Sequence, residues 1–260
     1  MALVSRVPMT PEPIREKRPR SSKIIFFSCE GVITEEEYFK ILSNKIFADI
    51  SSQLCLVSAR KDFLKIPNEE RTQEQWNEQN KSSPQYVLDR LENFKKDNDH
   101  IYEFKKHKDD EFWIVIDIDD HTMPNKISEF KAVIQECEKK NIKYAITNPF
   151  FEFWLYLHHF DVVDEDKIHA NKTGDNYFRL KMNSIGVTLG GNGHKVPNSK
   201  DYTIKNVVKA VERAKKLHTN KSERWPQELG SQVYLLVDEF FELLEENFID
   251  INKNELKWFR

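Results

Sequence analysis

Between residues 23 and 148, short apolar runs alternate with stretches of helical periodicity, and this alternation constrains the fold most. The runs KIIFFS (23–28), QLCLV (53–57), EFWIVI (111–116) and KYAI (143–146) are apolar on nearly successive residues. Strands buried on both faces read that way. Between them, Glu35–Ile50 carries Phe39, Leu42, Ile46 and Ile50 at helical spacing. Pro84 opens a helix with Tyr86, Leu88, Leu91 and Phe94. Lys126–Lys140 turns Ile127, Phe130, Val133, Ile134 and Cys137 to one side. Arg60–Ser83 is polar and aperiodic, a loop or insertion. Strand–helix alternation argues for an α/β fold: a mostly parallel four-stranded sheet flanked by helices.

After Asn148 the strands are expected to stop. Pro149–Phe160 reads as an aromatic helix, Asp164–Met182 as a helix and Val187–Lys200 as a loop. Asp201–Leu217 and Ser231–Phe248 read as amphipathic helices. Three parts follow: a mobile, mildly basic arm over 1–22, an α/β core over 23–148, and a helical C-terminal extension over 149–260 packed on that core. Glycine occurs only 7 times in 260 residues. That excludes collagen-like repeats and a turn-dense β-sandwich. No run approaches the roughly 18 apolar residues of a membrane helix, so no membrane role is expected. Cys29, Cys55 and Cys137 are scattered and lack metal-ligand spacing. With no signal-peptide stretch at the start, they fit a reducing, cytoplasmic setting. Net charge is −3, so any attraction for nucleic acid must be local.

Ligands of open α/β sheets sit at the carboxyl edge, which directs attention to the strand ends. The first strand runs into Cys29-Glu30-Gly31 and the third into Asp117-Ile118-Asp119-Asp120. Strand alternation puts Asp117 and Asp119 on one side. Paired carboxylates repel unless something positive lies between them. Hard oxygen ligands suit Mg²⁺ or Mn²⁺. Glu30 joins them if the two strands are neighbours. Such a cluster can orient a phosphate and generate hydroxide on a bound ion, with a spare carboxylate as general acid or base. The bland alternative is a solvated strand end, with Asp120 capping the next helix.

Cys29-Glu30-Gly31-x-x-Thr34-Glu35-x-x-Tyr38-Phe39 resembles the first motif of the RloB family, a branch of the Toprim (topoisomerase–primase) superfamily. Asp117-x-Asp119 is similar to its second motif, and Asn148-Pro149-x-Phe151-Glu152-x-Trp154-Leu155-x-Leu157-His158 to its third. Val233–Asp238 is similar to its last helix. The chain departs from the pattern at Val32 and Ile33, where the family often has charged residues, and at Ile118, where many members are basic. The resemblance implies a Toprim-like fold, with Glu30 as general acid/base and metal ligand and with Asp117 and Asp119 holding Mg²⁺. It also implies a place in bacterial defence against phage, beside restriction genes or genes for ABC-type ATPases.

Other residues carry weaker signals. Asn148 reads as a helix N-cap with Pro149 at the first helical position. Glu152 then falls in the first turn, where the helix dipole favours it, or reaches the acidic cluster as an outer ligand. Phe151, Trp154, Leu155 and His158 share a side and read as core, His158 as a packed histidine. His159 is a candidate substrate contact. The 187–200 loop could cradle a phosphate through Gly190, Gly191 and Gly193, with His194, Lys195 and Lys200 adding charge. Lys205, Lys209, Arg213 and Lys216 form a basic stripe, either a solvated face or a nucleic-acid track.

The leading expectation is a metal-dependent nuclease, hydrolysing phosphodiesters of DNA or RNA as the effector of anti-phage defence. A second is a non-catalytic interaction or sensing subunit of an ATPase-containing defence complex, docking through 149–260. A third, an enzyme acting on a nucleotide rather than a polymer, lacks a phosphate loop of known type. Homo-oligomerisation is left open.

Overall fold

The computed structural model describes residues 23–31, 33–58, 83–118, 127–173, 176–190, 196–220 and 222–247, with the side chains of 170–173 and 176 excepted. The expected arm, the 60–82 insertion and the glycines at 191 and 193 lie outside the described residues.

Strands β1 (Ile25–Cys29), β2 (Leu54–Leu56), β3 (Glu111–Asp117), β4 (Lys143–Asn148) and β5 (Gly230–Ser231) form one sheet in the order β2-β1-β3-β4-β5. The first four are parallel. The fifth pairs antiparallel with β4, Thr147 opposite Ser231 and Asn148 opposite Gly230. The sheet is therefore five-stranded rather than four-stranded, and the C-terminal region contributes to it. A two-residue strand has no periodicity to read. It is held by Gln232 N–H donating to Ile146 O (2.8 Å) and by the Thr147–Ser231 hydroxyl pair (2.9 Å).

Helices are α1 (Thr34–Ile41), α2 (Pro84–Tyr102), α3 (Ile127–Lys139), α4 (Phe151–Tyr156), α5 (Asp164–Thr173), α6 (Asn176–Ser184), α7 (Ile204–Leu217) and α8 (Val233–Asn247). The single helix expected over 35–50 ends at Ile41. The chain continues as a π turn, Leu42–Ile46, and a 3₁₀ turn, Ala48–Gln53. That detour still buries Leu42, Phe47 and Ile50. The helix expected over 164–182 is two, α5 and α6. Ser83 caps α2 by accepting from Tyr86 N–H, and Thr203 caps α7 from Asn206 N–H. Such caps are worth about 1 kcal/mol each.

Strand alternation splits the core. Ile25, Phe27, Cys29, Trp113 and Val115 share one apolar cluster with α1, α4, α7 and α8. Ile24, Phe26, Phe112, Ile114 and Ile116 share the other with α2 and α3. Phe240 of α8 packs on the rings of Phe27, Phe39 and Phe47. On the opposite side, Phe26 is ringed by Phe94, Tyr102, Phe104 and Phe112. A fully buried Phe stabilises by about 1.5–3 kcal/mol. These rings therefore fix the seating of β1, and with it where Glu30 leaves the sheet. Among the described residues no helix is long and apolar enough to cross a membrane.

Candidate active site

β1 and β3 are neighbours, with Cys29 opposite Val115. One residue beyond β1, Glu30 N–H donates to Val115 O (2.9 Å). The chain is thus still sheet-paired when it delivers the Glu30 side chain. Glu30 Oε2 accepts from the backbone N–H of Asp117 (3.1 Å), the last residue of β3. Asp117 Oδ2 accepts from Phe151 N–H (2.9 Å), the first residue of α4. The N-cap position of α4 is Phe150, which has no side-chain acceptor to offer. The carboxylate of Asp117, from the neighbouring strand, takes that role. The expected N-cap, Asn148, is instead the end of β4, and its Nδ2 donates to Pro226 O (3.0 Å). Pairing of Thr147 with Asp117 and Ser231 holds β4 extended there, so the helix starts later.

A further carboxylate comes from α1. Glu35 Oε1 accepts from Gly31 N–H (2.9 Å) and is 7% exposed. A Cβ at Gly31 would overlap the Glu35 carboxylate. Gly31 does not have a positive φ, so the glycine is needed for space rather than backbone freedom. Glu152, in the first turn of α4, is 5% exposed.

Electrostatics groups the four acids. Burial raises the Asp117 carboxyl well above its ordinary range, and the charges of Glu35, Glu30 and Glu152 raise it further. Glu35 is pushed up to about 8, first by burial and then by Glu152, with Glu30 adding to it and backbone N–H groups opposing. Unit charges 4 Å apart at an effective dielectric near 20 repel by about 4 kcal/mol. Grouping four carboxylates without protons or a cation would consume much of the ~5–15 kcal/mol of a folded domain. The donor set, all carboxylate oxygen, fits Mg²⁺ or Mn²⁺. Among the described residues, no three His, Cys, Asp or Glu side chains form a ready-made metal cage. Mg²⁺ does not require one, since it keeps several waters and takes one or two carboxylates.

Asp119, Asp120 and Lys195 lie outside the described residues. Lys200 sits in an exposed turn, its N–H on Asn198 Oδ1 (3.1 Å). His158 is buried as a packed histidine: Nδ1 faces Trp154 O (3.0 Å), and Nε2 faces Tyr38 OH (3.0 Å). Trp154 O can only accept, so Nδ1 carries the proton and Tyr38 OH donates to Nε2. Burial takes His158 down to about 3. His159 lies beside Tyr202 and goes down to about 4, by burial and then by the charge of Arg213. On α7, Lys205, Lys209 and Lys216 are exposed. Arg213 does not share that freedom: Nε donates to Asp161 (2.8 Å) and Nη1 to Leu157 O (2.7 Å), so it ties α7 to the end of the aromatic segment.

Sequence reasoning did not assign Glu35 or Arg90. Glu35 was inside the first motif, and its signal was the four-residue spacing from Gly31. Arg90 Nη1 donates to Cys29 O (2.8 Å) and Ser28 Oγ (3.1 Å), bracing the end of β1 from α2. Nothing in its helical period marks that role.

A protein-family model described as RloB-like protein matches residues 25–240. No curated protein and no solved structure matches.

Proposed function

The chain belongs to the RloB-like protein family, and from that premise we propose that it is a Mg²⁺-dependent nuclease acting as effector in bacterial anti-phage defence. The observation that carries this reading is the meeting of Glu30 and Asp117 at the carboxyl ends of neighbouring parallel strands, with Glu35 and Glu152 in the same field. That edge is where α/β sheets bind ligands. The family resemblance supplies the Toprim assignment and the defence role.

Glu30 and Asp117 would hold the ion, with Asp119 completing the set. Bound there, Mg²⁺ or Mn²⁺ would polarise a phosphodiester and lower the pKa of an attacking water. Glu30 would move a proton between water and the leaving oxygen. Phe151 N–H fixes the Asp117 carboxylate, and Gly31 N–H fixes Glu35. Glu152 would act from the outer side of the cluster. Lys205, Lys209 and Lys216 would track the nucleic-acid backbone.

A second reading, a docking subunit for an ABC-type ATPase, is favoured by one observation. Val163, Ile168, Leu180 and Ile185, on and around α5 and α6, are each 50–67% exposed. Both readings are tested together. Purified protein is incubated with plasmid, single-stranded DNA, total RNA and tRNA in Mg²⁺, Mn²⁺ or EDTA. The nuclease reading expects cleavage lost in EDTA. No cleavage in any condition, with an ATPase co-purifying, transfers the assignment to the docking subunit.

A further inference from the structure

Toward the other end of the sheet, the first residues of β4, the ends of α7 and α8 and the segment between those helices enclose a cleft of about 810 Å³. Its wall residue Trp113 lies four positions before Asp117 on β3, about 13 Å away at 3.3 Å per residue. The volume is in the range of small-molecule sites. Tyr144 supplies half-buried aromatic surface, while Trp113 and Tyr234 lie buried behind Lys143 and Lys215.

Two buried polar atoms in this wall have no hydrogen-bond partner: Oε1 of Gln232 and Nε2 of His218. Gln232 is 3% exposed, and its Nε2 donates to Arg224 O (3.2 Å). A carbonyl can only accept, so the amide orientation is fixed and Oε1 is the acceptor left over. His218 Nδ1 is engaged with Tyr234 OH (2.8 Å), which leaves Nε2 as the second unmet group. Buried polar atoms are normally paired, and exceptions point to a missing partner.

Charge narrows the ligand. Among the described residues, the cations in the wall are already committed: Lys143 to Glu111 and Glu239, Lys215 to Asp238, and Arg224 to Glu138. Glu223 and Glu242 add further negative charge to the lining. A phosphate would find no uncommitted cation among the described residues. A flat, uncharged ring with N–H donors would find the Tyr144 ring and an acceptor.

We propose that this cleft is a second ligand site and takes an uncharged amino-substituted nitrogen heteroaromatic, of the nucleoside class. Gln232 Oε1 accepts from the exocyclic amino group after a small rotamer change, and the ring packs on Tyr144. The site is independent of the carboxylate cluster and of the nuclease reading.

The test is isothermal titration of the full chain with adenosine, cytidine, purine riboside (which lacks the amino group) and ATP. The expected result is one-to-one binding of adenosine or cytidine, at least about tenfold weaker binding of purine riboside, and weaker binding of ATP than adenosine. Q232L and Y144S should each weaken the aminated nucleoside about tenfold, with far-UV circular dichroism unchanged. Because a substitution at Gln232 also removes its bond to Arg224, Tyr144 provides the second variant. D117N should bind as the wild type does. Absence of binding by both aminated nucleosides at millimolar concentration would overturn the proposal. So would equal binding of purine riboside, tighter binding of ATP, or wild-type affinity in both cleft variants.

Discussion

The carboxylate of Glu30 is hydrogen-bonded to the backbone N–H of Asp117 at 3.1 Å, so an acid leaving β1 is tied to the end of β3. Asp117 is tied in turn to α4 through Phe151 N–H. Three elements thus lock two acidic side chains, and their mutual repulsion is held by the fold.

That repulsion makes stability depend on pH. Glu35 holds its proton up to about 8 in the folded protein, against an ordinary value of 4.5. Between those values the native state binds more protons than the unfolded state, so this contribution is full below pH 4.5 and is lost as pH rises toward 8. E35Q should flatten that loss. Thermal melts of the metal-free protein at pH 5 and pH 8 check it. The wild type should lose more than the variant, at about 2–4 °C per kcal/mol.

The histidines act in the opposite direction. His158 and His159 are held neutral, down to about 3 and about 4, against 6.5 unfolded. The unfolded state therefore binds more protons below 6.5, and their contribution is lost as pH falls through that window. Y38F removes the hydroxyl on His158 Nε2 and should cost about 1–3 kcal/mol, by leaving a buried acceptor unpaired. Urea denaturation at pH 7 measures that cost.

Gly31 keeps the Glu35 carboxylate in place. G31A should preserve the fold at a small cost in stability, because the atoms a methyl would meet are the end of the flexible Glu35 side chain, which can swing away. It should also shift the pH dependence of stability, because Glu35 is pushed off its Gly31 N–H bond and away from its neighbouring carboxylates. A wild-type melting temperature in G31A would show that the pocket has slack.

The basic residues of α7 differ in their contacts, three lysines being exposed and Arg213 bonded to Asp161 and Leu157 O. Charge reversal at Lys205, Lys209 and Lys216 should lower nucleic-acid affinity and flatten its salt dependence, by up to about 0.9 in slope for each duplex-DNA phosphate that is no longer neutralised. R213A should instead lower stability, through loss of its bonds to Asp161 and Leu157 O. Fluorescence anisotropy across a salt series separates the two.

Much of this architecture is written locally. The run EFWIVI is continuous because β3 is central and covered on both faces. Pro84 marks a helix start because its chemistry is confined to one turn. What sequence reasoning missed is decided at a distance. β5 exists because Thr147 and Ile146 offer it partners, and Asn148 stays in β4 for the same reason. The turn after α1 follows the packing of Phe47 against Phe240 rather than a helical period. Glu30 and Asp117 were legible because each ends a recognisable strand. Glu35 was not, because it sits in an acidic first turn with Glu36 and Glu37, where solvated carboxylates are usual. Only the close approach of Gly31 singles it out.

The most direct test asks whether the carboxylate cluster holds an ion at all. Mn²⁺ binding is measured by electron paramagnetic resonance on the wild type and on D117N, which keeps an oxygen for Phe151 N–H. A metal site on the cluster requires the wild type to bind Mn²⁺, Mg²⁺ to compete for the same site, and D117N to bind at least about tenfold more weakly. The same site predicts that metal-free D117N melts higher than the wild type, because asparagine sits among Glu30, Glu35 and Glu152 without needing a proton or an ion. Undiminished Mn²⁺ binding in D117N, or no binding by the wild type at millimolar Mn²⁺, would contradict it.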